Sequence, residues 1–385
     1  MFYTFHQPVK VLYGVGAVAK IGEVVKDGNY TKAFVVYDSG VKGAGIVDKV
    51  TKGLEASGIG YELYDKVIPD PPSYLVDEGF KVFEKSGCDC VIAVGGGSSI
   101  DTAKGINILR FNEGPILRYA NPENVIGRSP GLITIPTTAG TGSEVSNGLI
   151  ISDPETHIKN LLVCYNAMSE FCVIDPELMM GMPKKLTAYT GSDVLAHLVE
   201  SYTTNVSTKL NELISEKFIS VVYEWLPQAV DNGQNIEARE NMGIASSMGG
   251  WCLSLAFAHA GHSIAHTLGA KYGMVHGAAC AYADPEVLRW IAPTCPGKIK
   301  KIAEMLGATF KGNETPEQIG EKVCEVYKAF NDRIGIPPIE TWNCDLSRLD
   351  EVAEAVSVEA CGNFSVQPLT FDAAKMLLKK IFGVA

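Results

Sequence analysis

Short apolar runs alternate with amphipathic stretches through the first half of the chain. AFVVYD (33–38), CVIAV (90–94) and GLITIPTT (131–138) are β-branched runs bounded by glycine, proline or an acid. Runs of that length and composition read as strands. GYELYD opens as a further strand before the Pro-rich turn at VIPDPP, and the opening MFYTFHQPVKVLYG also reads as strands. LVDEGFKVFEKSG has apolar residues at helical spacing and a glycine stop. Strands alternating with helices imply a doubly wound, mostly parallel sheet. From Pro183 the texture changes. KLTAYTGSDVLAHLVESYTT, NELISEKFISVVYEWLPQAV, PGKIKKIAEML, PEQIGEKVCEVYKAFNDRIG and SRLDEVAEAVSVEA all carry helical periodicity. IEARENMGIASSMGGWCLSLAFAHAGHSIAHTLG reads as one long helix. The expected organisation is an α/β domain over 1–183 and an all-helical domain over 184–385, in keeping with a length of 385 residues.

Charge and composition narrow the partners. The net charge of −11 comes with no Lys/Arg block, which excludes nucleic acid and anionic membrane surfaces as partners. No apolar run is long enough for a membrane span, and the N-terminus lacks the pattern of a signal peptide. The expected location is the cytoplasm. Ten cysteines are scattered along the chain. Cys88 and Cys90 are the only close pair and make a poor metal clamp. Reduced, mostly buried thiols are expected.

VIAVGGGSSIDTAKG carries the first chemistry. A strand runs into Gly95, Gly96 and Gly97, and Ser98, Ser99 and Asp101 open a helix. Glycines admit a ligand close to the main chain, and free N–H groups at a helix start favour a pyrophosphate. A serine-capped tight turn would look the same. The order differs from the usual dinucleotide fingerprint, in which the acid follows the glycines by about twenty residues. Here Asp38 in VVYDSG lies upstream. It can accept ribose hydroxyls and repel a 2′-phosphate, or simply cap the next helix. PTTAGTGSEVS (136–146) places hydroxyls and glycines after a third strand, where ligands gather in open α/β sheets.

The histidines are unevenly spread. Four of seven lie in HAGHSIAHTLGAKYGMVHG, residues 259–277. Asp193 and His197 are four apart, hence on one helical face. His259, His262 and His266 also share a face. His276 lies fourteen residues beyond His262, about 21 Å along a straight helix, so Gly269 or Gly273 must break the helix for the two to meet. By spacing alone, His262 with His266 is the natural ligand pair.

GSDVLAHLVESY, HAGHSIAHTLG with VHG, GGGSSIDTAKG, PTTAGTGSE and VIDPEL together resemble the iron-containing (group III) alcohol dehydrogenase family. The motifs run in family order from about residue 38 to 277, and the last hundred residues add none. The resemblance implies the two-domain fold shared with dehydroquinate synthase, with residues 1–183 binding a dinucleotide and 184–385 holding a metal. It implies Asp193, His197, His262 and His276 as metal ligands and His266 as a catalytic histidine beside the nicotinamide. It implies cofactor contacts at Asp38, Gly96, Gly97, Ser98, Asp101, Thr137, Thr138, Thr141, Lys159 and Leu178. Asp70 stands where the family often has Asn, Val194 replaces the commoner alanine, and His259 has no family role beyond packing or lining a cavity.

The implied reaction is NAD(H)-dependent interconversion of a small primary alcohol or diol and its aldehyde. A divalent ion would act as Lewis acid, with His266 relaying the proton. Imidazoles with one carboxylate suit Fe²⁺ and Zn²⁺ alike. A fourth protein ligand at His276 is the iron-type pattern. The rivals are a zinc glycerol dehydrogenase-like enzyme with three ligands and a dehydroquinate synthase-like lyase. Asp193 rather than Glu and the intact PTTAGTGSE loop oppose the lyase, and the complete ligand set opposes a catalytically silent relative. A homo-oligomer, dimer or larger, is expected.

Overall fold

The computed structural model describes residues 3–4, 6–156 and 158–384. The chain forms two compact units, Thr4–Gly181 and one running from Met182 onward.

The first unit is built on six parallel strands in the order β1-β8-β5-β4-β2-β3. They are β1 (Lys10–Tyr13), β2 (Lys32–Asp38), β3 (Gly60–Val67), β4 (Cys90–Gly95), β5 (Leu132–Pro136) and β8 (Phe171–Ile174). Of the opening stretch read as strands, Lys10–Tyr13 pairs with β8; Met1, Phe2 and Phe5 lie outside the described residues. Alternate residues of a strand face opposite sides of the sheet. Val35, Tyr37, Ile92 and Val94 therefore enter one core, and Phe34, Val36, Val91 and Ala93 enter the other. Burial on both faces is why these strands are continuously apolar rather than alternating. An antiparallel hairpin, β6 (Gly148–Ser152) with β7 (Lys159–Val163), stands outside the main sheet. It adds a strand pair to those expected from the sequence.

Among its described residues the second unit forms no strand. Its Lys184–Thr203 helix is buried almost throughout its length, as expected of a helix surrounded by others. The long segment expected as one helix is two. Ile236–Ala256 ends at Phe257, whose φ is 58°, and Ala260–Tyr272 starts after His259. Left-handed backbone at an aromatic residue costs about 1–3 kcal/mol. The Phe257 ring stacks on Phe364 at 4.2 Å and 9°, a contact that holds the break in place. Gly273 (φ 65°) then ends the Ala260–Tyr272 helix and lets His276 begin the next, His276–Ile291. Gly269 stays inside the helix. No helix among the described residues is long and apolar enough to cross a membrane.

Candidate active site

In the α/β unit, β2, β4 and β5 are neighbours, with Tyr37 opposite Val94 and Gly95 opposite Pro136. Their carboxyl ends bring Asp38, the three glycines and the 136–146 loop to one edge of the sheet. The chain proceeds outward from β2 to β3 and returns on the other side of β2 as β4. Such a reversal of strand order is where open α/β sheets bind ligands. Gly95 has φ 150°, and a Cβ there would lie 2.4 Å from Ser99 Oγ. A Cβ on Gly96 would come within 3.1 Å of Thr138 Oγ1, and one on Gly97 within 2.8 Å of Thr141 Cγ2. The loop is thus packed as tightly as glycine allows. The Gly97–Leu109 helix that follows has no side-chain cap, so its first N–H groups remain available to an anion. Asp38 accepts from Gly40 N at 2.8 Å and Val41 N at 3.0 Å, and from Ser99 Oγ at 3.0 Å. It does cap a helix, as the simpler reading held, and also ties β2 to the glycine loop.

Asp101, expected among the cofactor contacts, is held by the neighbouring loop and hairpin. It is buried, with Oδ1 accepting from Ser143 Oγ at 2.5 Å and Oδ2 from Ile150 N at 2.9 Å. Beside it the buried Lys104 ammonium donates to Ser146 O at 2.9 Å and Gly148 O at 2.6 Å. Burial pulls this lysine down to about 8 against the opposing pull of Asp101 and Glu144. The pair brace the hydroxyl loop from behind. Thr137 is buried and donates its N–H to Gly95 O at 3.0 Å. Ser98 lies in the first turn of the Gly97–Leu109 helix and accepts from Thr102 Oγ1 through its carbonyl. Lys159 is held by Asp70 at 2.6 Å, and Leu178 is packed into a core. Neither is gathered with the glycine loop by any of these contacts.

In the helical unit one carboxylate oxygen is the hub. Asp193 Oδ1 lies 3.2 Å from His197 Nε2, 3.2 Å from His276 Nε2 and 3.9 Å from His262 Nε2. Burial opposes the charge on Asp193, but His197, His276 and His262 outweigh it and hold the carboxyl well below its usual range. Burial pushes His197 down to about 4, keeping it neutral. His262 is raised to about 9: burial lowers it, but the carboxylate of Glu200, 2.5 Å from its Nδ1, prevails. His262 Nε2 and His197 Nδ1 are buried with no hydrogen-bond partner among the described residues. Ligand atoms of Asp193, His262, His276 and Cys280 all lie within 4.8 Å of one another; His197 touches Asp193 but stands outside that mutual distance. An orphaned Nε2 beside one anionic oxygen and a second imidazole is a donor set that fits a divalent ion.

His266 is placed differently. Its ring stacks on His276 at 5.2 Å, while its Nδ1 lies 2.9 Å from Glu359 Oε1. Glu359 also accepts from Ser263 Oγ at 2.7 Å and Cys361 N at 2.8 Å. Burial lowers the His266 value more than Glu359 raises it. With Nδ1–H donated to the carboxylate, Nε2 is left as the acceptor.

Two family models cover both units: iron-containing alcohol dehydrogenase over residues 8–176, and Fe-containing alcohol dehydrogenase family, C-terminal, over 187–382. The chain belongs to the iron-containing alcohol dehydrogenase family. It is 33% identical to choline dehydrogenase of Bacillus subtilis (strain 168), covering 99% of this chain and 94% of that protein. It is 33% identical to the NAD-dependent methanol dehydrogenase of Bacillus methanolicus, covering 86% and 87%. The solved structure of 1,3-propanediol oxidoreductase superposes with a TM-score of 0.94 at 30% identity, over 99% of this chain and 100% of that one. The protein is accordingly an NAD-dependent alcohol oxidoreductase that uses a divalent metal.

Three residues of this alcohol dehydrogenase escaped the sequence reading. Cys280 lies 4.0 Å from Asp193 Oδ1 and 3.7 Å from His276 Nε2. Its position four after His276 was the available signal. Glu200 follows Asp193 by seven, again on one face, and that spacing could have flagged it. Glu359 lies 93 residues from His266, and no local pattern marks it.

Proposed function

We propose that this alcohol dehydrogenase interconverts small primary alcohols or diols and their aldehydes, with Fe²⁺ held by Asp193, His197, His262 and His276. The observation that carries this is the buried, unpartnered Nε2 of His262 facing Asp193. Three relatives named for choline, methanol and 1,3-propanediol share only a terminal CH₂OH group, which supports a primary alcohol as substrate class. The ion supplies Lewis acidity toward the alcohol or carbonyl oxygen, and NAD(H) supplies the hydride chemistry. Asp193 contributes the one negative charge of the donor set, and His197 stays neutral beside it. His266, oriented by Glu359, takes the alcohol proton on Nε2 and releases it in the reverse direction. Gly96, Gly97, Ser98 and the N–H groups at their helix start bind the pyrophosphate. Thr137, Thr138 and Thr141 close the loop around it. Asp38 accepts from the adenosine ribose and disfavours a 2′-phosphate. The enzyme works in the cytoplasm as a homodimer or larger homo-oligomer.

Metal-free protein reloaded with Fe²⁺ or Zn²⁺ under exclusion of oxygen, then assayed on short alcohols, diols and aldehydes, tests the reading. Turnover restored by Fe²⁺, with stoichiometric metal, is expected. The sulfur of Cys280 beside the donor set favours a second reading with Zn²⁺. Higher turnover with Zn²⁺ would establish that reading. No turnover with either metal would overturn both.

A further inference from the structure

Glu200 is buried, on the same helix as Asp193 and His197, and its carboxylate meets both the Ala260–Tyr272 helix and, through Asp284, the His276–Ile291 helix. Oε1 lies 2.5 Å from His262 Nδ1. Oε2 accepts the backbone N–H of His259 at 2.7 Å and of His262 at 3.2 Å. His259 is the N-cap of the Ala260–Tyr272 helix and has no side-chain cap of its own. Glu200 therefore takes over the cap from outside, satisfying donors that the helix start leaves open. Gly261 makes the approach possible: a Cβ there would lie 2.6 Å from Glu200 Oε1 and 2.2 Å from Asp284 Oδ1. His259, left without a role by its sequence, sets its Nε2 2.8 Å from Thr203 Oγ1 and its Nδ1 3.2 Å from Glu200 Oε2.

We infer that Glu200 is a positioning residue that sets the metal affinity of the site through His262. Accepting Nδ1–H makes Nε2 the nitrogen that gives up its proton to a binding ion and then carries the lone pair. The negative charge behind the ring makes that nitrogen a stronger donor. The same carboxylate fixes the start of the helix and hence the direction of the ring. One side chain controls protonation, basicity and aim together. The inference rests on His262 being a ligand.

The test uses Zn²⁺ alone as the probe, measured on metal-free protein by competition with a chromogenic chelator. Co²⁺ absorption reports ligand geometry, and NAD⁺ affinity reports on the other unit. Glu200→Gln keeps the shape and removes the charge. It should bind Zn²⁺ about 10–100-fold more weakly and shift the Co²⁺ band, with NAD⁺ affinity unchanged. Zn²⁺ affinity within threefold of the parent and an unshifted band would overturn the inference. Where Glu200→Gln does not fold, Glu200→Asp carries the test: its shorter carboxylate should weaken Zn²⁺ several-fold, and parent-like affinity overturns the proposal equally. His262→Ala separates the two levels. If it binds Zn²⁺ like the parent, the ligand assignment fails; if it loses the metal while Glu200→Gln retains it, only the role of Glu200 fails.

Discussion

Gly277→Ala should do more damage than any other single methyl group near the site. Gly277 directly follows His276, and a Cβ there would lie 1.9 Å from the carbonyl oxygen of Tyr189. That oxygen belongs to the Lys184–Thr203 helix, one turn before Asp193. It is backbone and cannot rotate away. Restoring an ordinary contact of roughly 3.2–3.4 Å requires the two helices to part by about 1.3–1.5 Å. His276 moves with its helix, so its 3.2 Å approach to Asp193 is lost. Overpacking of this kind costs about 1–3 kcal/mol of stability, and a displacement near 1 Å costs about 10²-fold in rate. The variant should therefore fold with a lowered melting temperature, hold substoichiometric metal and turn over about a hundredfold more slowly. Gly269→Ala is the control, since its Cβ would meet Met274 O at a tolerable 3.3 Å. Metal content, melting temperature and turnover are read on the same preparations. Full metal and turnover within threefold of the parent in Gly277→Ala would refute the idea that this helix crossing sets the site.

His266→Ala should retain most of its metal but lose about 10²–10⁴-fold in turnover, the usual worth of a proton relay; metal loss matching His262→Ala would make it a ligand instead. Asp38→Gly should narrow the preference for NADH over NADPH and, because glycine is itself tolerated at a helix cap, cost only roughly 0.3 kcal/mol there; equal use of both cofactors by the unaltered protein would contradict the role given to Asp38. Glu359 has an acid-side signature. Burial raises its carboxyl, but His266, Ser263 and the Cys361 N–H outweigh it and depress the folded value from 4.5 to about 2. A depressed carboxyl contributes stability above its unfolded value and loses it as pH falls through the folded one, here about 3 kcal/mol released between pH 4.5 and 2. Urea unfolding of the parent and Glu359→Gln should therefore differ at pH 7 and converge near pH 2–3; a constant difference would exclude the coupling.

The strands of the sheet were legible because burial on both faces writes itself as uninterrupted Val and Ile. The Asp193 helix was legible by periodicity. The break at Phe257 was not, since no glycine or proline marks it and the conformation is held by Phe364, over a hundred residues away. The hairpin of β6 and β7 was missed because KNLLV is short and half-exposed. Spacing suggested His262 with His266, whereas His276 and not His266 shares the group formed with Asp193; the turn at Gly273 decides that, and only the folded chain shows how sharply it bends. What holds Asp101 was not legible, although it sits in the glycine motif. Its partners, Ser143 and Ile150, lie more than forty residues on. Glu200 at least shares a helical face with Asp193, whereas nothing local ties Glu359 to His266, 93 residues away.

Asp193, His262 and His276 come from three different helices. An ion bound by all three ties together segments up to 83 residues apart. Such a ligand at a thousandfold excess over its Kd adds about 4 kcal/mol to the folded state. Melting temperature then becomes a gauge of loading, and chelation should expose the 257–276 stretch to proteases that the charged protein resists. Cells short of the metal would hold not a silent reserve of this protein but a smaller amount of it, since the empty form is the one that degradation removes first.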